Sequence, residues 1–595
     1  MPTTFRLRFL GFHNMDTRVE PPAVPHTHGG EQRNVEDAGV RGIYNDSKSP
    51  QDEEAQTGVK EVEAIATVWT KTVRIVAYVL IWIVYFAMLM QQNVSASLTP
   101  YVTSAFLLHS LSPTVTILSS VIGGVCNLTI AKILDIFGRP QGYAFALLIT
   151  TTGLVMMAAT DSVQMYAAAQ VFWTVGNNAL LYTVGILVAD TTALRNRALM
   201  TGLATSPNIA TIWMGGPISE SFLNGPGWKW CYGFFCIAIP ILCLPLFGLL
   251  VWNSLKAKKE AVFVAEKSSR RLLESFVYYC REFDAIGLFL VTAGLALLLL
   301  PFNLYALQAD GWRSPLMICL LVFGVALVIV FAIWERFFAP VAFMPFSLLL
   351  DRNMVGACLL SAVLFVSYYC WFAMFTSYLQ VVHDLSVTKA SYVANAYSVG
   401  GSVAAICAGI VIRYTGRYKV LTLYIAIPIY VLFMGLMIHF RSPDQGVGYM
   451  IICLVFLSIS GGFLTSTPQI AAMSSASHQR IAAVVAVLSM FSSIGGAIGA
   501  TVSGVIWQGI FPTKLAEYLP ADERANFLMI YGSIDVQLSY QAGNPARIAI
   551  QRAYADAQMM MLTAGTAIWV LGFAGVAIWR NTDVRTFKQV KGNVI

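Results

Sequence analysis

An all-α membrane protein with about fourteen transmembrane helices is the fold class that this sequence predicts, and three observations predict it. Hydrophobic residues make up 57% of the chain against 12% charged, whereas a water-soluble domain carries about one quarter charged residues. Apolar runs long enough to cross a bilayer, about 20 residues each, recur at short intervals along nearly all of the chain after residue 70. The basic residues fall mostly in alternate short connections between those runs, the arrangement that fixes the orientation of a membrane protein.

Residues 1–70 read as a disordered cytosolic tail: they hold Pro21, Pro22 and Pro25, three histidines (His13, His26, His28) and the acidic run Asp52-Glu53-Glu54, with little apolar surface to bury. No apolar core followed by a small-residue cleavage site stands there, so the first span is expected to act as the insertion signal. Spans are predicted around Ile81, Val121, Leu154, Leu180, Met214, Leu242, Leu295, Phe323, Phe365, Val403, Leu432, Phe456, Val487 and Val570. The connections after even-numbered spans carry Lys132 and Arg139, then Arg195 and Arg197, then Lys256 to Arg271, then Arg336 and Arg352, then Arg413, Arg417 and Lys419. They should face the cytosol, and so should both termini. The expected organisation is a first bundle of spans 1–6 over 71–253, a basic cytosolic linker over 254–283 and spans 7–13 over 284–508. An extracellular loop over 509–558 with a helical segment near Ala546 to Gln558, a last span over 559–580 and a cytosolic tail over 581–595 complete it.

Several functions are excluded by the same reading. The net charge of +7 resides in connections that report topology, so nucleic acid is not an expected partner. The ten cysteines lie mainly in apolar runs without a CxxC pair, which argues for small buried side chains and against a metal site. No nucleophile with a base, no cofactor loop and no metal motif is present, so neither an enzyme nor a cofactor or metal site is expected. The sequons at Asn45, Asn93 and Asn127 fall in the tail or in spans, where glycosylation is not expected.

Ionisable groups gather at span ends. After the second span comes Ala131-Lys132-Ile133-Leu134-Asp135-Ile136-Phe137-Gly138-Arg139-Pro140, in which a carboxylate and two cations flank a glycine able to make a tight turn. This resembles the loop signature G-x-L-a-D-r-x-G-r-k of the major facilitator superfamily, keeping Asp135, Gly138 and Arg139 and departing at Ala131 and Pro140. Arg413-Tyr414-Thr415-Gly416-Arg417-Tyr418-Lys419 is a partial counterpart in the second half, without an acid. After the fourth span Asp190 is followed by Arg195 and Arg197; it is a candidate proton site, or the acid of a fixed ion pair. Gly215-Gly216-Pro217 in the fifth span permits close helix contact and a bend.

Longer stretches resemble the fungal siderophore-iron transporter family of that superfamily: Gln92 to Phe106, Asp190 to Arg197, Trp228-Lys229-Trp230-Cys231-Tyr232, Asp284 to Leu304, Ile530 to Ile534 and Arg547 to Tyr554. The resemblance implies import of an iron(III) chelate driven by protons, through alternating access. A hydroxamate siderophore wraps iron in its own oxygens, so the protein needs neutral hydrogen-bonding groups and aromatic walls more than metal ligands. Candidates for the cavity are Gln91, Gln92 and Asn93 in the first span, Trp173, Asn177, Asn178 and Tyr182 in the fourth, and Tyr368, Tyr369 and Trp371 in the ninth. Asn177 and Asn178 also suit a helix interface, and each aromatic also suits plain packing or a membrane-interface belt. Asp135, Gly138, Arg139, Asp190, Arg195 and Arg197 would form the cytosolic gate and couple it to protons. Expected partners are thus the ferric siderophore, protons and the bilayer, with the protein a monomer in the plasma membrane or an endosomal or vacuolar membrane. The alternatives are a multidrug/proton antiporter of fourteen spans and a nutrient sensor that does not transport.

Overall fold

A computed structural model describes residues 70–581 and 583, apart from 108, 110–111, 192–199, 201–202, 260–271, 306–307, 309, 340–350 and 475–480. The tail expected over 1–70 lies outside the described residues but for residue 70. No strand occurs among those described: with no water in lipid to satisfy backbone groups, each of these segments closes its own hydrogen bonds as a helix.

The helices run in order as α1 (Lys71–Ala105), α2 (Ser112–Phe137), α3 (Arg139–Ala158), α4 (Val163–Thr191), α5 (Pro207–Leu223), α6 (Trp228–Lys259), α7 (Ala285–Leu304) and α8 (Pro315–Phe337). They continue as α9 (Arg352–His383), α10 (Val387–Thr415), α11 (Tyr418–His439), α12 (Val447–Met473), α13 (Ile481–Tyr518) and α14 (Pro545–Ile578). Twelve helices among the described residues are long and apolar enough to cross a membrane. The two other expected centres, Val121 and Met214, lie on α2 and α5, the latter 17 residues long. By length and composition, twelve of the described helices thus suit a crossing where about fourteen were expected.

Local chemistry sets the helix ends. Thr70 accepts from Val73 N at 3.3 Å, Asp351 Oδ1 from Asn353 N at 2.8 Å and Asn544 Oδ1 from Ala546 N at 2.8 Å, each relieving an orphan donor of a first turn. Gly138, between α2 and α3, has φ 96°, and Gly416, between α10 and α11, has φ 70°. Both corresponding turns thus use a left-handed backbone that glycine adopts without strain. α9 is broken at Ala373 and Met374, and α13 runs on through 509–518. The segment near Ala546 to Gln558 is the start of α14, so the stretch between the last two helices is 519–544, with short helices Phe527–Gly532 and Ile534–Ser539.

Two large buried clusters hold the helices. One draws on residues between Ala77 and Ala257, hence α1 to α6; the other on Met354 to Trp579, hence α9 to α14, with Tyr101 of α1 added. α7 and α8 belong to neither. α7 lies along the seam of α2 and α13, where Val291 and Leu299 pack on Val125, Met490, Ile117, Val121, Ala497 and Ala500. Gln508 Nε2 donates to Asn303 O at 2.8 Å, tying the end of α7 to α13. α8 leaves Val322, Phe323 and Ile329 exposed, the surface expected of a helix facing lipid.

Small residues let backbones approach where association cannot rely on water exclusion. A Cβ at Gly153 of α3 would lie 2.5 Å from Trp173 N, and one at Gly176 of α4 would lie 2.4 Å from Thr150 N. Gly176→Leu should therefore cost about 1–3 kcal/mol and lower the melting temperature in detergent, while Gly233→Leu, with open space around it, should leave it unchanged. Thermal unfolding followed by size exclusion checks both.

Candidate functional site

Alternate helices start on opposite faces: the face where α1, α3 and α13 begin is termed here the N-terminal face, and the other, where the 519–544 stretch lies, the far face. Between the two bundles are adjoining cavities. Two of about 270 and 280 Å³ share Gln92, Thr99, Thr116, Gln170, Trp173 and Tyr369 in their walls. A third, of about 570 Å³, continues towards the N-terminal face and is lined by Asn127, Asn178, Leu181, Tyr182, Val485, Ser489 and Ser493. Among the described residues lining all three, none is Asp, Glu, Lys, Arg or His. The walls are amides, hydroxyls and the rings of Trp173, Tyr369 and Phe372.

The polar residues reach this space through helical spacing. On α4, Gln170, Trp173, Thr174 and Asn178 are three or four residues apart and share a face; Thr116, Ser119, Ser120 and Gly124 do so on α2. Of the residues expected in the cavity, Gln92, Asn93, Trp173, Asn178, Tyr182 and Tyr369 line it. Gln91 is buried and donates to Ser95 Oγ at 2.8 Å within α1. Asn177 is buried in the first bundle. Tyr368 stacks on Phe372 and Tyr397 behind the wall. Trp371 is fully buried and packs with Phe375 and Tyr378 around Arg441, whose guanidinium carbon stands 5.6, 4.4 and 4.8 Å from the three ring centres. The sequence reading passed over Thr99, Thr116, Gln170, Thr174, Ser391, Asn395 and Ser493, although the three-to-four spacing of polar residues on α2 and α4 carries that signal.

At the N-terminal face, Arg139 is buried and donates from Nη1 to Leu134 O at 3.0 Å. The backbones of Asp135 and Asp190 are helical, while their side chains, and the whole of Arg195 and Arg197, lie outside the described residues. Lys132 Nζ donates to Glu282 O at 2.7 Å, at the end of the short helix Leu272–Glu282. Lys419, in the corresponding second turn, donates to Ala577 O at 2.9 Å and Trp579 O at 2.6 Å. Each lysine thus satisfies carbonyls left open at a helix C-terminus, where a cation is favoured. Asp284 caps α7 by accepting from Gly287 N at 3.2 Å and also accepts from Trp334 Nε1 at 2.8 Å, joining α7 to α8 beside that lysine.

Towards the far face the two bundles touch. Tyr101 donates to Gln380 Oε1, Ser104 Oγ accepts from Ile534 N at 3.0 Å, and Asn395 Nδ2 donates to Ile212 O at 2.9 Å. Arg547, 1% exposed, donates to the carbonyls of Gln537 and Gln380 and lies 3.4 Å from Asp384 Oδ1, pinning the 519–544 stretch to the end of α9. The short helices there rest on both halves: a Cβ at Gly532 would lie 2.5 Å from Leu107 O. The cavity is therefore walled off on the far face and continues towards the N-terminal face.

The sequence model of the Major Facilitator Superfamily matches residues 81–500. MFS siderochrome iron transporter 1 of Ajellomyces capsulatus is 50% identical over 91% of this chain and 92% of that protein. The chain belongs to the Major Facilitator Superfamily, in its fungal siderophore-iron transporter family. Siderophore iron transporter mirB of Emericella nidulans is 37% identical, with 97% of this chain and 95% of that protein covered. Among solved structures, a bacterial homolog to the human lysosomal transporter Spinster superposes with a TM-score of 0.54 at 15% identity, covering 87% of this chain and 98% of that one, a likeness of fold. Members of this family are transporters and not enzymes, which agrees with a site built of walls and seams.

The asymmetry of the cavity gives a direct test. With the native cysteines replaced, Ser489→Cys on the open path should react with a membrane-impermeant thiol reagent applied to the N-terminal face. Ser391→Cys, 5% exposed at the walled end, should be protected from reagent applied to the far face. Labelling of both from the far face alone would reverse the assignment.

Proposed function

We propose that this chain imports ferric siderophores, of the hydroxamate type, by proton-coupled alternating access, with the N-terminal face and both termini in the cytosol of a fungal cell and the far face outside. The observation that carries the reading is the uncharged, amide- and hydroxyl-lined cavity with the rings of Trp173, Tyr369 and Phe372 in its walls. A chelate that wraps ferric iron in its own oxygens presents an organic surface with carbonyl and hydroxyl groups, which such walls can hold without ligating the metal. The names of the relatives support the cargo; the basic connections on the N-terminal face support the orientation.

In the mechanism, the two bundles rock about the cavity. Cargo enters when the far seam opens and leaves when the N-terminal side is open, as in the arrangement described above. Asp135, Gly138 and Arg139, with Asp190, Arg195 and Arg197, would form the cytosolic gate that shuts in the other half of the cycle. Residues 71–253 are the first rocking unit, 254–283 the linker, and α9 to α14 the second. The plasma membrane is the proposed site, since the cargo comes from the medium, and a single chain holds the whole cavity.

The test is uptake of radioiron-labelled siderophores by yeast that lacks its own carriers and expresses this chain, with and without a protonophore. Saturable accumulation that the protonophore abolishes is expected. No uptake of any chelate by cells that display the protein at the surface would contradict the reading and favour an exporting antiporter. Trp173→Ala and Tyr369→Ala should each raise KM severalfold, since one aromatic contact contributes about 0.5–1.5 kcal/mol and 1.4 kcal/mol is tenfold, with protein abundance unchanged.

A further inference from the structure

The seam between α5 and α10 closes the far side of the cavity, and its polar contacts are unequal. Gly215 and Gly216 bring α5 against α1 and α10: a Cβ at Gly215 would lie 2.8 Å from Asn93 Cβ, and one at Gly216 would lie 2.9 Å from Ser391 Cβ. Asn93, Ser391 and Asn395 all line the cavity, so whatever holds this seam also holds the cavity shut. One helical turn further out, Glu220 Oε2 accepts from Thr388 N at 2.8 Å. The side chains of Thr388 and Ser386 and the Lys389 ammonium lie close enough to favour its ionised form.

The position has a specific physical meaning. α10 begins at Val387, and its first turn leaves backbone N–H groups without intrahelical acceptors. Ser386 is its own N-cap, accepting from Lys389 N at 3.4 Å. The Thr388 donor is satisfied from the other bundle, by an ionised side chain at the positive end of the helix dipole. Separating the bundles leaves that N–H to water and takes the carboxylate away from the dipole and from Lys389. The closed seam therefore favours the ionised form of Glu220, and protonation favours release.

We propose that Glu220 is the latch of the outward gate and its proton sensor: ionised, it caps α10 across the seam and holds the cavity closed to the outside; protonated, it lets the seam open. This rests on the proton-coupled reading above and adds to it a residue on the far side, where the sequence places no gate. Around the carboxylate, α10 supplies Lys389 and α1 supplies Tyr101, which also feels Asp535 of the helix Ile534–Ser539. Lys229 at the start of α6 is engaged by Asp161 at 2.9 Å, and Asp384 at the end of α9 by Arg547. Among the described residues Glu220 is thus the carboxylate that accepts a backbone donor across this seam, and acidification far enough to protonate it against that bond and Lys389 should open the seam. Glu220 is a positioning residue: it touches the gate and no cargo.

The experiment needs no cargo. Spin labels at Gly225→Cys, just beyond α5, and Asp444→Cys, between α11 and α12, report the distance between the far ends of the two bundles in reconstituted, otherwise cysteine-free protein. Acidification from neutral pH should enlarge the long-distance population. Glu220→Gln, which keeps an acceptor oxygen but no titration, should abolish the pH response, and Glu220→Asp should restore part of it. Lys389→Met, which removes the stabilising charge, should move the response to higher pH; this variant decides the matter if Glu220→Gln does not fold. No pH response in the parent protein, or an unchanged response in Glu220→Gln or Lys389→Met, overturns the proposal. Because the distance is read without chelate, a failed uptake assay with an intact pH response would count against the cargo and not against the latch.

Discussion

Backbone hydrogen bonding in a solvent that offers none is the constraint from which this architecture follows. A membrane-spanning chain must close its backbone bonds within helices or a closed barrel; the apolar runs of about 20 residues select helices, and everything functional must sit where helices meet, break or end. The glycine contacts between α3 and α4 and between α5 and α10 are the means of meeting closely. The turns at Gly138 and Gly416, with φ of 96° and 70°, are the means of ending abruptly. The lysines beside those turns satisfy the carbonyls of neighbouring helix ends, Lys132 at Glu282 and Lys419 at Ala577 and Trp579. Repetition of one turn in two halves makes each half a unit that can move as one body.

The two seams between those units differ in chemistry. Along α2 and α13 the packing is apolar, and α7 lies over it, fastened through Asn303 and Gln508. Along α5 and α10 the close approach at Gly216 and the Trp213–Tyr392 ring contact are joined by polar contacts, Asn395 with Ile212 O and Glu220 with Thr388 N. A polar contact that can be exchanged for water is cheap to break. The added pair α7 and α8 thus reinforces one side of the cavity and leaves the other to regulate.

Much of this was legible in the sequence because lipid writes a strong signal: every expected span centre lies on a described helix. The turn glycines and the candidate residues Gln92, Asn93, Trp173, Asn178, Tyr182 and Tyr369 were identified by residue type. What the residue type could not convey was facing. Gln91 and Asn177 are one position away from wall residues and point into their own bundle, because neighbours on a helix are 100° apart. Trp371 looked like a wall ring and instead packs on the buried Arg441, a partner seventy residues away that no local pattern announces. Glu220 escaped notice for a related reason. A single acid near a helix end resembles a solvated terminus until the N-terminus of α10 is seen beside it.

The central claim, that this neutral cavity carries a ferric chelate across the membrane at the expense of a proton gradient, is tested most directly in liposomes that contain the purified protein alone. Radioiron-labelled ferric hydroxamate is supplied outside, with the lumen either at the same pH or made alkaline to impose an inward proton gradient. The account predicts concentrative uptake of the ferric chelate only with the gradient. Equal, non-concentrative entry with and without it would contradict proton coupling, and no entry in either case, by protein shown to be folded and inserted, would contradict the cargo.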